Sequence, residues 1–195
     1  MINVGLAAPK TAPPELQLGP VRGLRVVVMG VCGSGKSTVG QALASALGLD
    51  FVEGDMLHPL ANVLTMASGT PLTDADRLGW LHEVAAQLAD EQAFPRGVVA
   101  SCSALKLSYR DLLRAAVPSV RFVYLEGSAA ALDQRLQLRG VHFMPASLLR
   151  SQLDTLEAPE SSENPVTLSI SLTVPELVSA AVLALRPDKA SNQTS

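Results

Sequence analysis

The sequence is poor in aromatic and charged residues. Aromatic side chains make up 4% of its 195 residues and charged side chains 17%, whereas hydrophobic residues reach 48%. A chain this rich in apolar residues is not typical of a disordered protein. Its length suits one domain with a substantial core. Since aromatic residues are scarce, we expect that core to be mainly aliphatic.

The chain also lacks an excess of positive charge, a long apolar run and a rich set of cysteines. A net charge of −3 does not favour binding to nucleic acid. No apolar stretch approaches the roughly 20 residues that span a bilayer, and the first residues lack a signal core. The two cysteines, Cys32 and Cys102, are interpreted as reduced thiols, with Cys102 a small buried residue. We therefore predict a soluble, cytoplasmic protein with no nucleic-acid or membrane partner.

Hydrophobic patterns predict a domain in which strands alternate with helices. Short aliphatic runs favour buried strands at residues 24–29, 51–52, 97–101, 120–125 and 166–172. Helical periodicity places helices at residues 37–47, 74–92, 106–116, 129–139, 147–156 and 175–185. This order predicts an α/β domain built on a parallel sheet with helices on both faces.

The two ends of the chain differ from this pattern. Residues 1–22 contain several prolines and glycines without sustained periodicity, which predicts a flexible extension. Residues 188–195 are polar and are predicted to form a disordered tail. The folded domain is therefore expected to span residues 23–187.

A glycine-rich segment carries the strongest motif. It runs Gly30-Val31-Cys32-Gly33-Ser34-Gly35-Lys36-Ser37 and fits the P-loop pattern GxxxxGK[ST]. Glycines let backbone N–H groups approach phosphate oxygens, and the helix that follows directs its positive end at the same place. The alternative is a glycine-rich turn with an exposed lysine. We predict that these eight residues and Thr38 bind ATP, that Lys36 reaches the β- and γ-phosphates during catalysis, and that Ser37 binds Mg²⁺.

A P-loop predicts nucleotide binding but not the reaction, so the acceptor must be inferred from other residues. Asp55 follows the second predicted strand, beside the strand that leads into the P-loop. Its carboxylate could accept a proton from an attacking hydroxyl, or orient that hydroxyl and hydrated Mg²⁺. It could equally cap the next helix, as aspartate often does. Position alone does not separate these readings.

Several further segments make the chain resemble the gluconokinase family. They are Gly54-Asp55, His58-Pro59, MASGTPLTDADR at 66–77, CSALK at 102–106, YRD at 109–111, HFMP at 142–145 and Ser151-Gln152. The resemblance covers about residues 24–185, and the CSALK and HFMP segments are more specific than the P-loop. It implies transfer of the γ-phosphoryl group of ATP to gluconate, giving 6-phosphogluconate. It also implies a nucleoside-monophosphate-kinase-like fold with a five-stranded parallel sheet, a mobile lid at about residues 135–150, and a homodimer.

The resemblance allows physical roles to be assigned. Gluconate carries a carboxylate and many hydroxyls, and arginine binds carboxylates through two parallel hydrogen bonds. The acceptor-binding residues are predicted to be Asp55, His58, Arg77, Lys106, Arg110 and His142, with Trp80 in the core beneath them. Arg135 and Arg139 are predicted to bind ATP from the lid, and Arg139 to stabilise the transferring group.

Each of these roles has a simpler alternative. Arg77 could pair with Asp74 or Asp76 on its own helix, and Arg110 with Asp111. Arg135 and Arg139 lie four residues apart and could form a solvated helix face.

The sequence departs from the family pattern around the expected acceptor site. Thr65 stands where a lysine is usual, positions 60 and 61 are Leu60 and Ala61 rather than basic, and Gly140-Val141 replaces a lysine-glycine pair in the lid. These changes leave two other functions open: a kinase of another small hydroxylated acid such as shikimate, or a nucleotide-binding protein without turnover.

Overall fold

The computed structural model describes residues 23–138 and 146–186. Its strands are β1 (Leu24–Met29), β2 (Asp50–Glu53), β3 (Gly97–Ser101), β4 (Arg121–Glu126) and β5 (Val166–Ser169). Its helices are α1 (Lys36–Leu47), α2 (Leu60–Ala67), α3 (Asp74–Ala89), α4 (Leu107–Ala116), α5 (Ala129–Leu138), α6 (Ala146–Thr155) and α7 (Val174–Leu185). Two short 3₁₀ helices span Gly54–Leu57 and Ser161–Glu163. Arg139, His142 and the two predicted terminal extensions lie outside the described residues.

The five strands form one parallel sheet in the order β2-β3-β1-β4-β5. The central strand β1 pairs on both sides: Val27 lies opposite Ala100 of β3 and Phe122 of β4. Because all five strands run the same way, the loops that follow them meet at one edge of the sheet. The P-loop follows β1 and Asp55 follows β2, so both lie at that edge. The predicted α/β class and five-stranded parallel sheet are confirmed.

A hydrophobic core covers each face of the sheet. Val26 and Val28 of β1 face α1 and α7, whereas Val27 and Met29 face the side covered by α3 and α4. All four side chains are fully buried. A buried aliphatic side chain of this size contributes about 1.5–3 kcal/mol, so alternate residues of one strand stabilise both layers. The expected aliphatic core is confirmed.

Helix α2 was not assigned from the sequence, and its short length and apolar composition explain why. Only Asn62 of this helix is buried, whereas Leu60 and Leu64 are 72% and 61% exposed. Six of its eight residues are apolar, so about two turns show no clear division between an apolar and a polar face. Elsewhere the differences lie at element ends: α3 stops at Ala89 rather than residue 92, and β5 stops at Ser169 rather than residue 172. The 3₁₀ helices were also not predicted.

Both cysteines are free of disulfide bonds and Cys102 is buried, as the sequence predicted; Cys32 is buried as well. Burial raises the pKa of Cys102 to about 12, so its thiol stays protonated at neutral pH. Within the described part of the chain, no helix combines the length and apolar character needed to cross a bilayer.

Gly79 offers a test of the packing around α3. It lies exposed inside this helix, and a Cβ added there would meet no atom within 4 Å. Gly79→Ala should therefore raise the free energy of unfolding by about 0.5–1 kcal/mol, because alanine loses less backbone entropy in a helix. Urea denaturation measures the change.

Gly40 provides the matched control, since it is also a helical glycine. A Cβ added there would lie 2.7 Å from Cε2 of the Phe51 ring, so this ring would have to shift. Gly40→Ala should gain nothing or lose stability. Equal stabilisation of both variants would contradict the packing described for α1.

Candidate active site

The P-loop presents free backbone donors at the start of α1. Gly35 precedes this helix with φ 97°, in the left-handed region that favours glycine. No side chain caps the helix start, and its first turn contains no acidic residue. The backbone N–H groups of this turn are therefore available to an anion. At the other end of the loop, a Cβ on Gly30 would lie 2.9 Å from the Leu125 carbonyl oxygen, so the loop can follow this path only with glycine.

The polar side chains of the loop surround the same space. Lys36 Nζ donates to the carbonyl of Val31 at 3.2 Å, which folds the lysine over the loop. Ser37 and Thr38 are exposed in the first helical turn. Ser34 is fully buried, and its hydroxyl has no partner among residues 23–138 and 146–186. The loop thus carries one ammonium group and two accessible hydroxyls.

One cavity of about 370 Å³ joins the P-loop to residues predicted to bind the acceptor. It is lined by Cys32, Gly33, Gly35, Lys36, Ser37, Thr38, Asp55, His58, Met66, Arg77, Ser103, Leu136 and Gln152. The structure therefore brings Asp55, His58 and Arg77 together with the P-loop.

Asp55 is positioned by the backbone of its neighbour. The Gly54 N–H donates to Ser101 Oγ at 3.1 Å, and Trp80 Nε1 donates to the Gly54 carbonyl at 2.7 Å. Helix α2 begins after Pro59, so Asp55 does not cap it. The carboxylate is exposed to the cavity. It is placed to accept a proton there.

His58 is a neutral hydrogen-bonding group at neutral pH. Its ring stacks on the fully buried Trp80 at 4.2 Å between centroids, which confirms that Trp80 packs beneath this part of the cavity. Burial lowers the pKa of His58, while Asp55 opposes the shift and Arg77 adds to it. Asn62 Nδ2 lies 3.5 Å from Nδ1 of His58, which favours an unprotonated Nδ1 and a proton on Nε2. Sequence reasoning assigned no role to Asn62, although it follows His58-Pro59 in a segment that resembles the family.

Arg77 keeps its guanidinium available to a ligand. It is 8% exposed and lines the cavity. Asp76 instead forms a capping box with Thr73, and Asp74 binds Lys106. Neither of the ion pairs considered from the sequence forms. No carboxylate of residues 23–138 and 146–186 forms a salt bridge with Arg77, and a nearly buried guanidinium that faces a cavity suits an anionic ligand.

Lys106 and Arg110, which the sequence predicts to bind the acceptor, are not among the residues that line this cavity, and their role there stays a prediction. Lys106 pairs with Asp74 at 2.7 Å. Arg110 is 1% exposed and forms two hydrogen bonds with Glu163, at 2.6 and 2.7 Å. Glu163 lies 53 residues further along the chain, so sequence spacing could not reveal this partner. Both cations are neutralised by carboxylates before any ligand arrives.

Arg110 supports the loop that borders the cavity. Ala104 in this loop has φ 43°, which is strained for a residue other than glycine. Arg110 Nη1 donates to the carbonyls of Ala104 and Leu105, each at 3.2 Å. These bonds hold the CSALK segment in the conformation that places Ser103 in the cavity lining.

Arg135 connects the P-loop to a second cavity of about 500 Å³. Its Nη1 donates to the Ser34 carbonyl at 3.4 Å, and its Nη2 donates to the Ile170 carbonyl. This cavity is lined by Gly127, Ser128, Ala131, Gln134, Arg135, Leu138, Ser169, Ile170 and Ser171. Arg135 therefore both contacts the P-loop and lines this cavity.

Fold and site together define the class of protein. A five-stranded parallel sheet carries a P-loop after its central strand, and a carboxylate and an arginine face that loop across one cavity. This is an α/β P-loop kinase.

Comparison with known proteins identifies the family. The sequence model of a family described as "AAA domain" matches residues 26–159. A gluconokinase of Gluconobacter oxydans is 49% identical over 155 residues, covering 80% of this chain and 86% of that protein. A probable gluconokinase of Schizosaccharomyces pombe is 45% identical over 152 residues, covering 74% and 78%. The crystal structure of a gluconokinase from Sinorhizobium meliloti matches with a TM-score of 0.77 at 47% identity, covering 83% of this chain and 90% of that one. The chain belongs to the gluconokinase family.

The Arg110–Glu163 pair makes stability depend on pH. Hydrogen bonds from Arg110 lower the pKa of Glu163 from its usual 4.5 to about 2, against the opposing effect of burial. Because the folded-state pKa lies below the unfolded one, the pair stabilises the fold fully above about pH 4.5. That contribution is lost as the pH falls through about 2. Glu163→Gln should cost about 3 kcal/mol at pH 7, since Arg110 would remain buried without its partner.

Denaturant titrations at pH 7 and at successively lower pH measure this effect. The difference in the free energy of unfolding between wild type and Glu163→Gln should shrink as the pH falls below about 4.5. Asp111→Asn is the control, because the exposed Asp111–Arg114 pair should contribute less than about 1 kcal/mol. A difference in the free energy of unfolding that stays constant with pH would show that the Glu163 charge does not stabilise the fold.

Proposed function

We propose that this chain transfers the γ-phosphoryl group of ATP to gluconate, forming 6-phosphogluconate. One observation carries the proposal: Lys36, Asp55 and Arg77 line a single cavity. The lysine suits the nucleotide phosphates, the aspartate suits a hydroxyl and the arginine suits a carboxylate. Gluconokinases similar over most of this chain support gluconate as the acceptor.

ATP would bind with its phosphates on the P-loop and its nucleoside toward the second cavity. The N–H groups at the start of α1 and the Lys36 ammonium group would neutralise the phosphate charge. The position of Arg135 supports this placement of the nucleoside, because Arg135 contacts the Ser34 carbonyl of the P-loop and also lines the second cavity.

The residues present fit Mg²⁺. Ser37 supplies a hydroxyl that faces the cavity, Asp55 could accept hydrogen bonds from water bound to the ion, and Mg²⁺ prefers oxygen ligands. Within residues 23–138 and 146–186, no cluster of three histidine, cysteine, aspartate or glutamate residues could hold a metal by itself. This agrees with an ion held by one or two protein oxygens, phosphates and water. The ion would neutralise charge on the β- and γ-phosphates.

Asp55 would act as the proton acceptor in the transfer. As the acceptor hydroxyl attacks the γ-phosphorus, a new oxygen–phosphorus bond forms and the bond to the bridging oxygen of ADP breaks. The hydroxyl proton passes to the Asp55 carboxylate. Lys36 stabilises the negative charge that moves toward the leaving ADP.

The acceptor would be oriented by two groups beyond Asp55. Arg77 would bind the carboxylate of gluconate, and Nε2 of His58 would donate to a hydroxyl. At the site of the missing family lysine stands a neutral threonine, and its hydroxyl already donates to the Ala61 carbonyl at 2.9 Å, so it supplies neither the charge nor a free donor. We therefore expect weaker gluconate binding than a lysine at this position would allow.

The remaining predictions rest on the family resemblance. Arg139 is proposed to stabilise the transferring group and His142 to line the lid. A cytoplasmic location and a homodimeric assembly also remain proposals.

Replacement of Asp55 tests the proposed chemistry. Asp55→Asn should lower kcat by about 100-fold or more, because a general base contributes roughly that factor. Release of ADP, coupled to a spectrophotometric assay with Mg²⁺-ATP, measures turnover on gluconate and on a panel of other sugar acids and shikimate. Asp50→Asn, at the opposite end of β2, is the control and should keep wild-type kcat.

Three outcomes would separate the candidate functions. Gluconate-dependent turnover that is lost in Asp55→Asn supports the proposal. Activity on shikimate or another acid alone would mean that the changes around Thr65 have moved the specificity. ATP binding without turnover on any acid would support the nucleotide-binding alternative.

Arg77 tests recognition of the acceptor separately from the chemistry. Arg77→Met should raise the KM for gluconate by about 10- to 100-fold, because it removes charged hydrogen bonds to the carboxylate. The dissociation constant for ATP should change little. Arg96→Met removes an exposed arginine at the opposite end of the sheet and is the matched control. An unchanged KM in Arg77→Met would remove this residue from the proposed site.

A further inference from the structure

Gln152 forms a long-range hydrogen bond with the P-loop. Its side chain extends from α6, and its Oε1 accepts the backbone N–H of Cys32 at 2.7 Å. The two residues are 120 positions apart in the chain. The contact therefore fastens the helix that follows the predicted lid to the phosphate-binding loop.

This contact fixes the direction of the whole amide group. A backbone N–H can only donate, so the Gln152 oxygen must face Cys32 and the amino group must face away from it. Gln152 also lines the 370 Å³ cavity. Its Nε2 has no hydrogen-bond partner in the described part of the chain. Two N–H donors therefore remain available to a ligand that carries oxygen atoms.

The position of Gln152 indicates which oxygen atoms these donors meet. Cys32 lies in the first half of the P-loop, before the helix start that cradles the α- and β-phosphates. The same cavity contains Asp55 and Arg77 on the acceptor side. The group that must lie between the β-phosphate and the acceptor is the γ-phosphoryl group.

We propose that Gln152 binds the γ-phosphoryl group of ATP, with Oε1 held by the Cys32 N–H and Nε2 donating to a γ-phosphate oxygen. The inference rests on the proposed function for the nucleotide, but not for the acceptor. The amide is oriented before the nucleotide arrives, so little side-chain freedom is lost on binding. It discriminates ATP from ADP without adding a charge to the cavity.

Two substitutions of Gln152 distinguish hydrogen bonding to the phosphate through Nε2 from the contact of Oε1 with the Cys32 N–H. Gln152→Met keeps the side-chain length and removes both the oxygen and the donors. Gln152→Glu keeps an oxygen for the Cys32 N–H but has no donor for a phosphate. Gln92→Met, at an exposed glutamine after α3, is the control.

Isothermal titration calorimetry with Mg²⁺ and no acceptor measures binding of ADP and of a non-hydrolysable ATP analogue. Gln152→Met should weaken binding of the analogue by about tenfold and binding of ADP by less than about twofold, as expected for one hydrogen bond to a charged group. Gln152→Glu should weaken the analogue at least as much. Circular dichroism confirms that each variant is folded.

Several results would overturn the inference. Equal weakening of ADP and the analogue in Gln152→Met would mean that the side chain only shapes the loop. Wild-type affinity for the analogue in Gln152→Glu would also mean that the side chain only shapes the loop, because this variant has no donor for a phosphate. Unchanged nucleotide binding with a raised KM for gluconate would assign the amide to the acceptor. A wild type that fails to use gluconate would refute the proposed acceptor, yet it would leave the calorimetric comparison intact.

Discussion

The contact between Gly54 and the end of β3 holds the two sides of the cavity at a fixed separation. A Cβ on Gly54 would lie 2.0 Å from the Ser101 carbonyl oxygen, so no other residue can approach so closely. The end of β3 also binds the P-loop strand, because the Cys102 N–H donates to the Val28 carbonyl at 3.1 Å. Strand β3 therefore acts as a spacer between the loop that holds phosphates and the turn that carries Asp55. Backbone groups, rather than flexible side chains, set the distance between donor and acceptor sites.

A second set of contacts surrounds this spacer. Arg110 binds the carbonyl groups of the CSALK segment and the carboxylate of Glu163, and the Glu157 N–H donates to the Leu105 carbonyl at 2.9 Å. The chain that leaves α6 is thus attached to the loop that borders the cavity, and Gln152 attaches α6 itself to the P-loop. The helix that follows the predicted lid, with the chain that leaves it, is thus attached both to the P-loop and to the loop that borders the cavity.

The sequence predicted features that depend on local pattern and missed those that depend on distant partners. Buried aliphatic runs and a P-loop motif have fixed spacings, so the sheet, the loop and the place of Asp55 could be inferred. The sequence shows the charge of Arg110 but not its partner, Glu163, which lies 53 residues further along the chain. Only the fold shows that these two residues form an ion pair. For Arg77, the sequence suggested ion pairs with nearby aspartates that do not form, because Asp74 binds Lys106 and Asp76 binds Thr73. Helix α2 was missed because it has only eight residues, most of them apolar, which is too short and too uniform for a helical period to show.

The central claim is that one cavity brings the γ-phosphoryl group of ATP and an acceptor carboxylic acid together between the P-loop and Asp55. A crystal structure with Mg²⁺, a non-hydrolysable ATP analogue and gluconate tests it most directly. The account predicts the analogue's phosphates on the P-loop, the gluconate carboxylate at Arg77, and one gluconate hydroxyl within hydrogen-bond distance of Asp55 and facing the γ-phosphorus. Gluconate bound outside this cavity, or with no hydroxyl near Asp55, would contradict the account.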